Sequence, residues 1–151
     1  EYAPLGIEAA VTNTATVSGT GITPVTAAET VNAEAAPNLA ITKSVSPVPV
    51  TENGTLTYTF RIQNYGSVAA TNTTGVVITD TFAPVLNNLT AALNGTAWTA
   101  ATDYTYNETT GTFSSTAGAI TVPAATYTQN PVTGVWTADP GVSTLVVKGT
   151  I

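Results

Sequence analysis

The segment Leu39 to Val45 (LAITKSV) sets the strictest condition on any fold this chain adopts. Side chains of a strand alternate between two faces. Leu39, Ile41, Lys43 and Val45 therefore share one face, and Ala40, Thr42 and Ser44 the other. The apolar face is the one that turns inward, and it carries a lysine. A lone ammonium in a core is too costly to stay charged, so it must be paired, neutral or consumed chemically. Two other segments share the peculiarity. In VTNTATV, Asn13 falls with Val11, Ala15 and Val17, and in VVITDTF, Asp80 falls with Val76, Ile78 and Phe82. The other basic residues lie opposite the apolar parity: Arg61 against Leu56, Tyr58, Phe60 and Ile62, and Lys148 against Leu145, Val147 and Ile151.

Alternating Val, Thr, Ile and Tyr favour strands, and helix-forming Glu, Lys and Arg are scarce. Only 8% of the 151 residues are charged, with 12 Gly and 9 Pro. The expected class is all-β. A net charge of −6 with three basic residues argues against nucleic acid and against anionic lipid. No apolar run approaches membrane-spanning length, so no membrane insertion is expected. The absence of cysteine removes disulfides and thiol chemistry, and the absence of histidine removes the commonest general base and metal ligand. No phosphate loop, dinucleotide fingerprint or nucleophile elbow is present. The chain is expected to be no enzyme and to need no cofactor and no metal. A threonine-rich, lysine-poor, cysteine-free composition suits the outside of a cell. The start at Glu1 fits a trimmed secreted protein and equally an expressed fragment.

Turn signals divide the chain. Two strands, about Ile7 to Ser18 and Thr23 to Asn32, flank Gly19-Thr20-Gly21 and form a detachable arm over residues 1–32. Residues 33–38 (AEAAPN) are a short connector, and 39–151 form the main domain. There the Lys43 strand leads through a proline-rich turn and Asn53-Gly54 into Thr55 to Asn64, the cleanest alternation in the chain. Strands are expected over Gly75 to Thr81, Leu89 to Leu93 with Thr96 to Thr99, around Tyr104 and Tyr106, and over Ser143 to Ile151. This spacing points to an immunoglobulin-like β-sandwich preceded by the N-terminal two-strand arm, whose role as a donor arm rests on the resemblance described next. Because the chain stops within its last strand, that strand is expected to offer an unpaired edge.

Asn38 to Phe82 resembles a repeat of bacterial surface proteins known as domain of unknown function eleven. The shared marks are I-T-K-S, G-T-L-T-Y-T-F, Q-N-Y-G, A-A-T-N and I-T-D-T, in order over more than forty residues. Leu93 to Ile151 is similar to a longer variant of that repeat. In the family the pattern V-T-N-T-A-T-V-S-G closes a repeat, whereas here it stands at Val11 to Gly19. The resemblance thus implies closing strands at the wrong end of the chain. They either fold back on their own domain or complete a neighbour's, as in donor-strand pili. A tandem stalk or adhesin repeat, cut at arbitrary points, has the same appearance.

Pilins and adhesins of similar architecture carry Lys–Asn isopeptide bonds promoted by an Asp or Glu. The resemblance places Lys43 and Asn13 as the cross-link and Asp80 as the acid, with Glu29 the alternative acid and Asn64 a weaker alternative amide. Without covalent chemistry, the same residues read as an ion pair, a core amide and a turn residue. The expected interface joins Val11, Ala15, Val17, Val25 and Val31 of the arm to Leu145, Val147 and Ile151 of the next subunit. The expected partner is a second copy of the chain, in a head-to-tail homopolymer at the cell surface, with any host or glycan ligand left open. A carbohydrate-binding module, resting on Trp98, Tyr104, Tyr106, Tyr127 and Trp136, is a further alternative.

Overall fold

A computed structural model describes residues 9–33 and 35–151, with the side chains of residues 12–31 and 35–151. Twelve strands follow in order: β1 Ala9–Gly19, β2 Ile22–Ala33, β3 Leu39–Ser46, β4 Thr55–Asn64, β5 Thr79–Thr81, β6 Asn87–Leu93, β7 Thr96–Ala97, β8 Tyr104–Asn107, β9 Thr112–Ser115, β10 Thr126–Gln129, β11 Trp136–Asp139 and β12 Gly141–Thr150. The described residues hold no α-helix, and no helix long and apolar enough to cross a membrane.

Two antiparallel sheets face each other. The larger has the order β3-β4-β12-β6-β7 and the smaller the order β5-β9-β8. Alternation sorts the side chains: Leu56, Tyr58, Phe60 and Ile62 of β4 are buried while Arg61 is exposed. On β12, Leu145 and Val147 are buried and Lys148 is exposed. Phe82, just beyond β5, holds the layers together. Its ring lies 4.7 Å from that of Tyr58, 6.5 Å from Phe60 and 6.1 Å from Phe113. Offset and edge contacts of this kind add to the area that the rings bury. The far flank is closed by Trp98, stacked on Tyr104 at 6.5 Å, with Tyr104 stacked on Phe113 at 5.4 Å.

The final strand is not an edge. β12 is the central strand of the larger sheet, bonded to β4 on one side and β6 on the other. Leu145 and Val147 lie opposite Phe60 and Tyr58 and are fully buried, and Ile151 packs partly buried against the same core. The expectation that these three residues receive a neighbour's arm is therefore corrected. The end of a chain need not be the edge of a sheet, and a strand this apolar gains most between two neighbours.

The hairpin of β10 and β11 stands as a separate two-stranded sheet turned by Asn130 to Gly134. Its polar strands, TYTQ and WTAD, carry too few apolar residues to mark them in the sequence. The strand expected over Gly75 to Thr81 is shorter than anticipated, with ladder bonds only over Thr79–Thr81.

Asn64 ends β4 fully buried, with all four hydrogen-bonding valences used. Its Nδ2 donates to the carbonyls of Val68 and Pro123 at 2.8 and 3.0 Å. Its Oδ1 accepts from the amides of Asn38 and Gly66, both at 2.9 Å. This amide is structural, which removes it as an alternative cross-linking partner. Replacing it strands buried backbone groups that cost about 1–3 kcal/mol each. Asn64→Leu is expected to lose roughly 3 kcal/mol or more in chemical denaturation of the monomer, whereas Asn13→Ala stays within about 0.5 kcal/mol.

Burial pushes the Tyr104 hydroxyl above its ordinary 10.0. The unfolded chain then loses this proton first, so the contribution is complete below pH 10.0 and is lost as pH rises towards the folded value. Thermal melts should show Tyr104→Phe falling less steeply than the parent in this alkaline range.

Candidate functional site

Three strands cannot cover five, and the deficit falls on β3. Directly opposed residues of an antiparallel pair share a face, and the register sets Leu39 against Asn64, Ile41 against Ile62, Lys43 against Phe60 and Val45 against Tyr58. All four β3 side chains therefore belong to the inner face of the sandwich. Nevertheless Ile41 is 54% exposed, Val45 39% and Leu39 37%. The smaller sheet stops at β5, whose ladder partner among the described strands is β9 alone.

Lys43 stands in the middle of this strip. Its Nζ donates to Oδ2 of Asp80, and it lies 4.9 Å from the ring centre of Tyr58, 5.3 Å from Phe82 and 5.5 Å from Phe60. Asp80 lies opposite buried Phe113 and so points inward, and its Oδ1 accepts from the amide of Thr81 at 2.9 Å. The side chains of Lys43 and Asp80 are 40% and 18% exposed. Lys43 is thus not sealed in a core, as the alternation alone implied, because no described strand lies over β3. To one side of the pair is a cleft of about 160 Å³ between Leu39, Ile41, Ile62, Val76 and Ile78. To the other side a cleft of about 360 Å³ is lined by Val45, Tyr58, Thr81 and Ala83.

The β1–β2 hairpin has a related pattern. Its register opposes Val11 to Val31, Asn13 to Glu29, Ala15 to Ala27 and Val17 to Val25, so these eight positions share a face. The other face is rich in threonine, with Thr12 and Thr30 hydroxyls joined at 2.9 Å. Val17 and Val25 are each 63% exposed and Val31 69%, and every side chain from Thr12 to Val31 is exposed. The side chain of Val11 lies outside the described residues. Asn13 and Glu29 are brought together on the hairpin, and Lys43 and Asp80 on the sandwich. No hydrogen bond among the described residues joins one pair to the other.

Of the aromatic residues weighed for sugar binding, Trp98, Tyr104, Tyr106 and Tyr127 make contacts within the fold. Tyr104 is buried, Trp98 and Tyr106 pack on the core, and Tyr106 Oη bonds the backbone of Leu86. Tyr127 Oη donates to the carbonyl of Tyr65. The roles of Val76 and Ile41 in lining an open cleft were not legible, since alternation reports which face a residue takes and not whether anything covers it. No protein-family model matches the chain, and no curated protein and no solved structure matches it.

A partly exposed ion pair contributes at most about 1 kcal/mol. Lys43→Met is therefore expected to change the unfolding free energy of the monomer by no more than that, as measured in urea.

Proposed function

We propose that the chain is a structural subunit of an extracellular bacterial filament, joined head to tail when the β1–β2 arm of one copy completes the fold of the next. The observation that carries this reading is the arm itself. A two-stranded hairpin is marginal alone in water. This one displays valines on one face, and every described side chain of it is exposed. A contact that joins different surfaces on successive copies and does not close generates an open fibre.

The same residues support a covalent lock. In its neutral form the Lys43 amine attacks the side-chain carbon of Asn13 from another copy. A new C–N bond forms, the bond to the asparagine nitrogen breaks, and ammonia leaves. Asp80 takes the proton shed by the attacking amine and returns it to the departing nitrogen. The reaction occurs once per link, so the protein is a self-processing structural element and not a turnover enzyme. Glu29, opposite Asn13, is the second carboxyl within the same face.

Polymers heated in denaturant should run as a ladder, with each link lighter by one ammonia in mass spectrometry. Lys43→Ala and Asn13→Ala should each abolish the ladder, and Asp80→Ala should slow it by about 100-fold or more, the usual scale of a general acid–base contribution. Filaments in electron micrographs that dissolve to monomers of full mass would remove the lock. Failure of the chain to form filaments under any condition would remove the proposal.

A further inference from the structure

We infer that the arm of a second copy fills the uncovered strip along β3, with β1 running antiparallel to β3 in the layer of β5 and the Asn13–Glu29 rung seated over Lys43 and Asp80. This rests on the filament reading and specifies where and how the copies join.

The match is positional. Along β3 the inner face reads apolar, apolar, charged, apolar at Leu39, Ile41, Lys43 and Val45. Along β1 the corresponding face reads apolar, polar, apolar, apolar at Val11, Asn13, Ala15 and Val17. Antiparallel placement pairs all four positions: Val17 over Leu39, Ala15 over Ile41, Asn13 over Lys43 and Val11 over Val45. Parallel placement with Asn13 over Lys43 would set Val17 at Pro47, beyond the end of β3 at Ser46. A shift by one rung in either direction would bury the polar rung against Ile41 or Val45 and leave Lys43 under an apolar residue. Both outcomes carry the cost of unpaired polar groups.

The same register excludes the chain's own arm. Val31 opposes Val11, so it would lie over Val45, with Ala33 two residues further, level with Pro47. From there to Leu39 is eight residues along the strand, about 26 Å, with a further 10 Å or so between layers. The six residues from Ala33 to Leu39 reach at most about 22 Å. The connector is also tied down, because Asn38 donates to Asn64 Oδ1 at 2.9 Å and accepts from the Tyr65 amide at 2.8 Å. An arm seated in this register comes from another molecule.

Seating would also complete the site. The smaller sheet lacks two strands relative to the larger, and the arm supplies two. The free edge of β5 offers ladder bonds to an added strand. Lys43, 40% exposed in the single chain, would lose its water only when the arm arrives with Asn13. Assembly itself would then bring the amine and the Asn13 carbonyl together away from water.

The cysteine-free chain allows a direct test. Full-length protein carrying Asn13→Ser, which removes the covalent lock and keeps a polar group on the rung, is given either Val17→Cys with Leu39→Cys or Val17→Cys with Val45→Cys. All three cysteine positions are exposed, so the fold tolerates them. The probe is a bis-maleimide spanning roughly the 10 Å between facing sheets. The Leu39 combination should give a denaturant-resistant ladder of multimers at least tenfold more abundant than the Val45 combination. Equal yields, a stronger ladder from the Val45 combination, no ladder from either, or internally linked monomers would overturn the placement even where filaments form. Absence of filaments from the parent protein would instead overturn the filament reading, and the placement with it.

Discussion

The fold depends on an imbalance of cover. A five-stranded sheet has an inner face that three strands cannot close, and the β3 flank is left without cover among the described strands. At the β7 and β8 flank the rings of Trp98, Tyr104 and Phe113 stack in succession. At the β3 flank, Leu39, Ile41 and Val45 have the inward parity of core residues and the exposure of surface ones. Burial of a side chain of this size is worth about 1.5–3 kcal/mol, so the open flank holds a sizeable unused driving force for association.

The ion pair at the centre of that strip converts a general stickiness into a selective one. An apolar strip alone accepts any apolar strand in any register. Lys43 and Asp80 penalise every arrangement that covers them without polar partners, and such a penalty against wrong partners is how specificity is commonly achieved. The arm has one polar rung among four on its apolar face, at Asn13 and Glu29. The three rings around Lys43 Nζ add a favourable electrostatic environment for the cation.

Much of this was legible from alternation. The strands β1 to β4 and β12 stand close to where period-two patterning places them, and the inward parity of Lys43 and Asp80 follows from the same rule. Neighbour relations were not legible. STLVVKGTI reads equally as a central or an edge strand, because both bury one face, and only long-range pairing distinguishes them. The exposure of Ile41 and the role of Val76 depend on where the opposite layer ends, and no local pattern encodes that. Asn64 was misread for a related reason. Its Q-N-Y-G context has the look of a turn, yet its side chain satisfies four backbone groups from three parts of the chain.

The clamp at the end of β4 has a mechanical consequence. Asn64 grips Asn38, and Gly66 sits so close to the connector that a Cβ there would lie 2.1 Å from the Ala36 carbonyl. Tension drawn through residues 33–38 would therefore enter the sandwich at β3 and β4, directed along the strands. β4 shares ten paired positions with β12, and a longitudinal load strains those bonds together instead of peeling them one after another. A thread assembled from such units would resist stretching most strongly along its own axis.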